Sequence, residues 1–304
     1  MPNSPAIRVM LAEQSSPSAA PESHPLEQRL EASAQILRTP CGEGYIAWRH
    51  WGRRGPAIFL LHGGFGSWKH WLRNIEGLAQ DHRVFAADLP GLGDSPAAPL
   101  PHTAPALAQY FAQAVRQLDP GPDPALLAGF SLGSSITAHT AALLGDKAGA
   151  LVVLGASGMG EMWQNKTHQL TKLSRSMSLA QVRDIVRGNL AISMIYDPAK
   201  IDDQAIDVQR HLLAQKRSLL GMPISTSTTM FDALDQVAGK ATMLFGEHDC
   251  YMSPDVPSCL AAMARRYPAL ATVMVAGAGH WVMYEEPEAV NQALLNALAQ
   301  GARQ

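Results

Sequence analysis

Gly129-Phe130-Ser131-Leu132-Gly133 constrains this chain more than any other stretch. Pro124 to Ala128 before it is short and apolar and reads as a buried strand. Ser134 to Leu144 after it is rich in Ala, Leu, Ile and Thr and reads as a helix. A G-x-S-x-G between strand and helix demands a tight turn. Its glycines let the backbone fold back where a Cβ would collide. The serine hydroxyl is thereby lifted onto a helix N-terminus, where free N–H groups favour negative charge.

Other apolar runs repeat this strand-like pattern. Ala57-Ile58-Phe59-Leu60-Leu61 is continuous and bounded by Pro56 and His62-Gly63-Gly64, as expected for a central strand buried on both faces. Val84 to Asp88, Ala150 to Leu154, Ala241 to Phe245 and Ala271 to Val275 read as further strands, and residues 30–52 read as two strands joined at Gly42-Glu43-Gly44. Helical patterns occupy 67–79, 104–118 and 287–300, the last opened by Pro287. Strands alternating with helices predict an α/β fold with a mostly parallel sheet covered on both faces.

The alternation breaks between about 157 and 237, where helical patterns dominate. Six of the 13 methionines fall there (Met159, Met162, Met177, Met194, Met222 and Met230), with Trp163, Tyr196 and Phe231. This is expected to be a helical lid over an apolar site, since methionine adapts to irregular apolar shapes. The expected organisation is a disordered tail over 1–28, a core over 29–156 and 238–304, and a lid over 157–237.

Charge narrows the function. Lysine and arginine total 24 against 26 acids, a net charge of −2, so nothing points to nucleic acid. No stretch approaches the roughly 18 apolar residues needed to span a bilayer. The N-terminal Ile7 to Ala12 run is too short and too poorly flanked for a secretory signal. Cys41, Cys250 and Cys259 lack paired spacing and read as reduced thiols, which favours the cytoplasm. The expected partner is a small-molecule substrate, with homo-oligomerisation left open.

A serine hydroxyl needs a base within hydrogen-bond reach, and the base needs an orienting carboxylate. Both belong in loops at the carboxyl ends of strands. Asp249 ends Gly246-Glu247-His248-Asp249 after one strand, and His280 ends Gly277-Ala278-Gly279-His280 after the next. An oxyanion would need two N–H donors. Leu132 is one candidate; the other lies in the glycine loop after Leu61, with Gly64 first and Phe65 second. His62 is expected to brace that loop. Asp88 and Asp94 flank a Gly-Pro turn and read as turn chemistry. Cys250 reads as a packed small residue, and His248 as exposed or outside the chemistry.

These segments together resemble the α/β-hydrolase fold with a helical cap. The resemblance is carried by His62-Gly63-Gly64, Asp88-Leu89-Pro90-Gly91-Leu92-Gly93-Asp94-Ser95, the 129–133 turn, Gly246-Glu247-His248-Asp249, and Gly279-His280 followed by Glu285-Glu286-Pro287, in family order. It implies an eight-stranded, mostly parallel sheet and a Ser131-Asp249-His280 hydrolase that uses neither cofactor nor metal.

Relatives with aspartate at the 131 position (epoxide hydrolases, haloalkane dehalogenases) are disfavoured by Ser131. Ester or other acyl hydrolysis needs nothing further. Carbon–carbon hydrolysis of ring-fission dienoic acids is the alternative: Trp281 follows His280, and Arg210 lies about one residue from the expected carboxylate-binding position. Arg187 is a second possible carboxylate partner. A non-catalytic small-molecule receptor is the remaining alternative. Trp281, Arg210, Trp163 and Phe130 are the expected substrate contacts.

Overall fold

In the computed structural model the continuous apolar runs assemble into one sheet. The structure describes residues 10–11, 24–119, 121, 123–164, 169–214 and 224–301. Its strands are β1 (Met10–Leu11), β2 (Gln35–Cys41), β3 (Gly44–Trp51), β4 (Ala57–Leu61), β5 (Arg83–Ala87), β6 (Ala125–Phe130), β7 (Ala148–Leu154), β8 (Ala241–Gly246) and β9 (Ala271–Val275). The order across the sheet is β1-β2-β3-β5-β4-β6-β7-β8-β9. Pairs from β5 through β9 are parallel, and β1, β2 and β3 join antiparallel. Apart from the two-residue β1, this is the expected eight-stranded, mostly parallel sheet.

Period-2 alternation divides each central strand between two cores. Ala57, Phe59 and Leu61 of β4 face one cluster; Ile58 and Leu60 face the other. The first cluster takes Leu107 and Phe111 from α3 (Ala104–Leu118) and Ile136 and Leu144 from α4 (Leu132–Leu144). The second takes Leu72 and Ile75 from α2 (Leu72–Leu78), preceded by a 3-10 turn (Trp68–Trp71). Burial on both faces is what forces a crossover helix onto each side.

That order places the candidate site. The connection from β4 to β5 leaves toward one edge, and β6 returns on the other side of β4. Such a reversal opens a crevice at the carboxyl ends of β4 and β6. The 62–67 loop and Ser131 lie there.

Between β7 and β8 the chain inserts α5 (Leu179–Ser193), a 3-10 turn (Pro198–Lys200), α6 (Asp203–Ala214) and α7 (Thr229–Val237). Val186, Leu190 and Ile206 join the second cluster, whereas Met230 and Leu234 of α7 join the first. After β8 come α8 (Val256–Arg266) before β9, then α9 (Val282–Glu285) and α10 (Pro287–Gly301).

The expected tail needs correction at its end. Residues 25–28 form the first turn of α1 (Pro25–Ser33), capped by His24 and started by Pro25, and Met10–Leu11 pair with β2. Residues 1–9 and 12–23, and Met222 of the lid, lie outside the described residues. Among the described residues no helix is long and apolar enough to cross a membrane.

Candidate active site

Ser131 carries φ 50° and ψ −118°, a left-handed conformation rare for a residue with a Cβ. The surroundings hold it there. Its N–H donates to Leu154 O at 2.8 Å, and its carbonyl accepts from Ser134 N–H at 3.0 Å and Ser157 Oγ at 3.0 Å. The flanking glycines are sterically required. A Cβ on Gly133 would lie 2.3 Å from His62 O, and one on Gly129 would lie 2.3 Å from Thr137 Oγ1. Ser131 is half-buried at the N-terminus of α4.

Asp249 follows β8 and His280 follows β9, so parallel pairing puts both at the Ser131 end of the sheet. His280 Nδ1–H donates to Asp249 Oδ2 at 2.8 Å, with both residues buried. The other carboxylate oxygen, Oδ1, accepts Tyr251 N–H at 3.0 Å. The imidazole is packed between Phe130, 4.8 Å away, and Tyr251, 4.4 Å away. A Cβ on Gly155 would sit 2.9 Å from His280 Cε1. With Nδ1 committed to Asp249, Nε2 is the ring position left for proton exchange.

The loop after β4 is braced as expected. Leu89 N–H donates to His62 Nε2 at 2.8 Å, so Nδ1 carries the proton and donates to Gly63 O at 2.7 Å. Complete burial pulls the His62 pKa down to about 4, outweighing the Gly63 bond that raises it. A Cβ on Gly63 would lie 3.0 Å from Ser131 Cβ and 3.0 Å from Phe130 Cδ1, so a side chain there would press on the serine turn. Gly64 stands beside Leu132, and Phe65 adopts φ 52° with its side chain exposed. His70 occupies the space a Gly66 Cβ would need, and burial drives its pKa well below the usual value.

Asp88 and Asp94 serve the turn. Asp88 accepts from Trp68 N–H and Asp94 N–H, and both aspartates pair with Arg49. Cys250 Sγ lies 3.7 Å from Ser193 O, and exposed His248 stacks on Tyr196.

The expected substrate contacts fare differently. Phe130 is buried beneath His280. Trp281 is wholly buried, its Nε1–H donating to His70 O at 2.9 Å, which makes it a packing residue behind the site. Half-buried Trp163 stacks on Tyr251, one ring removed from His280. Arg210 bonds to Asp207 and His211 of its own helix, and Arg187 to Ile201 O. None of these bonds brings either arginine to Ser131, Asp249 or His280. Pattern reading misses Tyr251, and it has Glu285 only as part of the run after His280; that carboxylate accepts Gly279 N–H at 2.7 Å, next to His280.

Known proteins share this architecture. A model of the alpha/beta hydrolase family matches residues 58–293. The chain is 26% identical over 278 residues to the dihydrolipoyllysine-residue acetyltransferase component of an acetoin cleaving system from Pseudomonas putida, covering 89% of this chain and 69% of that one. It is 26% identical over 267 residues to a 2-hydroxy-6-oxo-6-phenylhexa-2,4-dienoate hydrolase from Burkholderia cepacia, covering 82% and 89%. Naproxen esterase from Bacillus subtilis superposes with a TM-score of 0.70 at 18% identity, covering 91% of this chain and 99% of that one, a likeness of fold. The match runs from β4 into α10 and includes the strained serine and the loops after β8 and β9, and the chain belongs to the alpha/beta hydrolase family.

Proposed function

We propose that the chain is a serine hydrolase for small, largely apolar esters or related acyl compounds. The 2.8 Å bond from His280 Nδ1 to Asp249 Oδ2, at the sheet end that carries the strained Ser131, supports this most strongly. Ser131 Oγ attacks the acyl carbonyl carbon while its proton passes to His280 Nε2. Asp249 holds the ring in that tautomer and stabilises the imidazolium. The N–H of Leu132 and one N–H from Gly64 or Phe65 receive the developing oxyanion; each such donor is worth about 10²–10³ in rate. Collapse returns the proton from His280 to the departing alcohol. Water then cleaves the acyl-enzyme by the same proton route. The inserted segment over 157–237 is the lid that selects the acyl group.

A fluorophosphonate probe tests the assignment. It should label the wild type at Ser131, and Ser131→Ala should lose both labelling and p-nitrophenyl ester turnover. Asp249→Asn should lower kcat by about 10⁴-fold, because the wrong tautomer then faces the serine. Lack of labelling in the wild type would favour a receptor. Turnover of a ring-fission dienoate exceeding that of every ester would favour carbon–carbon hydrolysis.

A further inference from the structure

Glu285 ends α9, five positions after His280, and its side chain is buried with 4% of its surface exposed. Its two oxygens face different parts of the chain. Oε2 accepts Gly279 N–H at 2.7 Å, the peptide that leads into His280. Oε1 accepts Tyr196 N–H at 2.9 Å and Asp197 N–H at 3.1 Å, both in the inserted segment after α5. A second bond runs alongside, from Trp281 N–H to Met194 O at 2.7 Å. Gly279 makes the approach possible: a Cβ there would lie 2.8 Å from Tyr196 N and 3.1 Å from Met194 O. The nearby cation is Lys200, whose ammonium bonds to Glu286 instead. The Glu285 carboxylate is therefore held by main-chain N–H groups, and these belong to two pieces of chain more than 80 residues apart.

We propose that Glu285 is a positioning residue whose one carboxylate clamps the inserted segment at Tyr196–Asp197 to the Gly279–His280 peptide, so that seating of this segment and alignment of His280 are one event. The proposal rests on His280 being the base described above. Its physical logic is that His280 hangs from the peptide which Glu285 grips. A shift of about 1 Å at that peptide moves Nε2 relative to Ser131, and misplacement on that scale costs about 100-fold in rate.

Glu285→Gln is the informative variant. A carboxamide keeps the size but has one accepting oxygen, and its NH₂ opposes whichever N–H set it meets. One of the two attachments must then break. The readout is fluorophosphonate labelling of the full chain, resolved into final stoichiometry and rate constant. The expected result is near-complete labelling at a rate about 100-fold lower. An unchanged rate constant per labelled site, with or without a reduced stoichiometry, would mean that Glu285 only holds the fold, and would overturn the proposal.

A second measurement needs no variant. The amides of Tyr196, Asp197 and Gly279 should exchange hydrogen for deuterium through a common opening in the wild type, and slow together once Ser131 carries the phosphonate. Exchange of Tyr196 and Asp197 more than tenfold faster than Gly279 would overturn the coupling, and decides the matter if Glu285→Gln does not fold. A wild type that takes no label would sink the hydrolase reading instead, and exchange in the unlabelled chain alone would then decide whether the clamp exists.

Discussion

Tyr251 lies against His280, ring centroids 4.4 Å apart at 54°, and its N–H donates to the same carboxylate that His280 uses. Asp249 is thus fixed through both oxygens, one by the imidazole and one by the main chain. Trp163 stacks on the Tyr251 ring with centroids 5.6 Å apart. Tyr251→Ala leaves the N–H in place and removes only the ring. It should lower kcat about tenfold, equivalent to about 1.4 kcal/mol at the barrier, and cost roughly 3 kcal/mol of stability for the cavity. Tyr251→Phe keeps the ring and should keep kcat. Steady-state kinetics and urea unfolding check both; an unchanged kcat in Tyr251→Ala would show that the ring does not steady the histidine.

Arg49 ties the turn after β5 to the rest of the molecule. Its Nη1–H donates to Asp88 at 3.2 Å, Nη2–H to Asp94 at 2.7 Å, and Nε–H to Glu31 at 2.9 Å. Asp88 is buried, and desolvation raises its pKa against the pull of Arg49. Arg49→Met would leave that carboxylate without its cation and should cost about 3–5 kcal/mol. Arg49→Lys should recover less than half, since an ammonium cannot reproduce the planar fork. Adding Asp88→Asn to Arg49→Met should restore part of the loss. Urea midpoints across the three variants test this; equal stability of Arg49→Met and wild type would refute it.

Acid should destabilise the fold through its buried histidines. His62 titrates near pH 4 when folded against an ordinary 6.5. Between those values the unfolded chain takes up a proton that the folded chain refuses, so stability rises with pH across that window. His62 alone withdraws about 3 kcal/mol on going from pH 6.5 to 4. Buried His70 and His139 act in the same direction. Asp88 and Glu285 have raised pKa values and oppose this, losing stability as pH rises above the ordinary carboxylate range. Urea unfolding from pH 4 to 7 should show the net rise. The His62 ring resonances should remain those of the neutral form at pH 5; protonation there would contradict the assignment.

Features written in local chemistry were legible from the sequence. Ala271–Val275 and Ala104–Leu118 match their expected bounds because an apolar run, or a helix with Thr103 as cap, announces itself. Asp249 and His280, which the structure brings together, stand out in the sequence because each closes a glycine turn directly after a strand. Helix α8 was missed although Asp255 caps it and Pro257 sits in its first turn; its apolar stripe is interrupted by Ser258 and Arg265. Trp281 was misassigned for a different reason. An aromatic after histidine reads alike whether it faces a pocket or a core, and its partner His70 is 211 residues away. Arg210 carried a local warning in Asp207, three positions earlier on the same helix face. Glu285 stands in the sequence within the Gly279-His280 to Glu285-Glu286-Pro287 pattern, but its bonds to Tyr196 and Asp197 do not, because main-chain N–H groups leave no residue pattern at the other end.

Glycines separate the steric demands of the site from ordinary helix chemistry. Gly133 and Gly188 both lie within helices, and neither has a left-handed φ. A Cβ at Gly133 would meet His62 O at 2.3 Å and Leu61 O at 2.9 Å, main-chain atoms of the β4 end that cannot move without displacing the glycine loop that follows it. A Cβ at Gly188, exposed on α5, would meet nothing within 4 Å. Gly133→Ala should therefore cost about 3 kcal/mol or more and should slow phosphonate labelling of whatever protein remains folded. Gly188→Ala should raise stability by about 0.5–1 kcal/mol, because alanine gives up less backbone entropy in a helix. Urea unfolding of the two variants side by side decides this. A neutral Gly133→Ala would mean that the β4 end yields readily and that the serine turn is less tightly packed than its geometry requires.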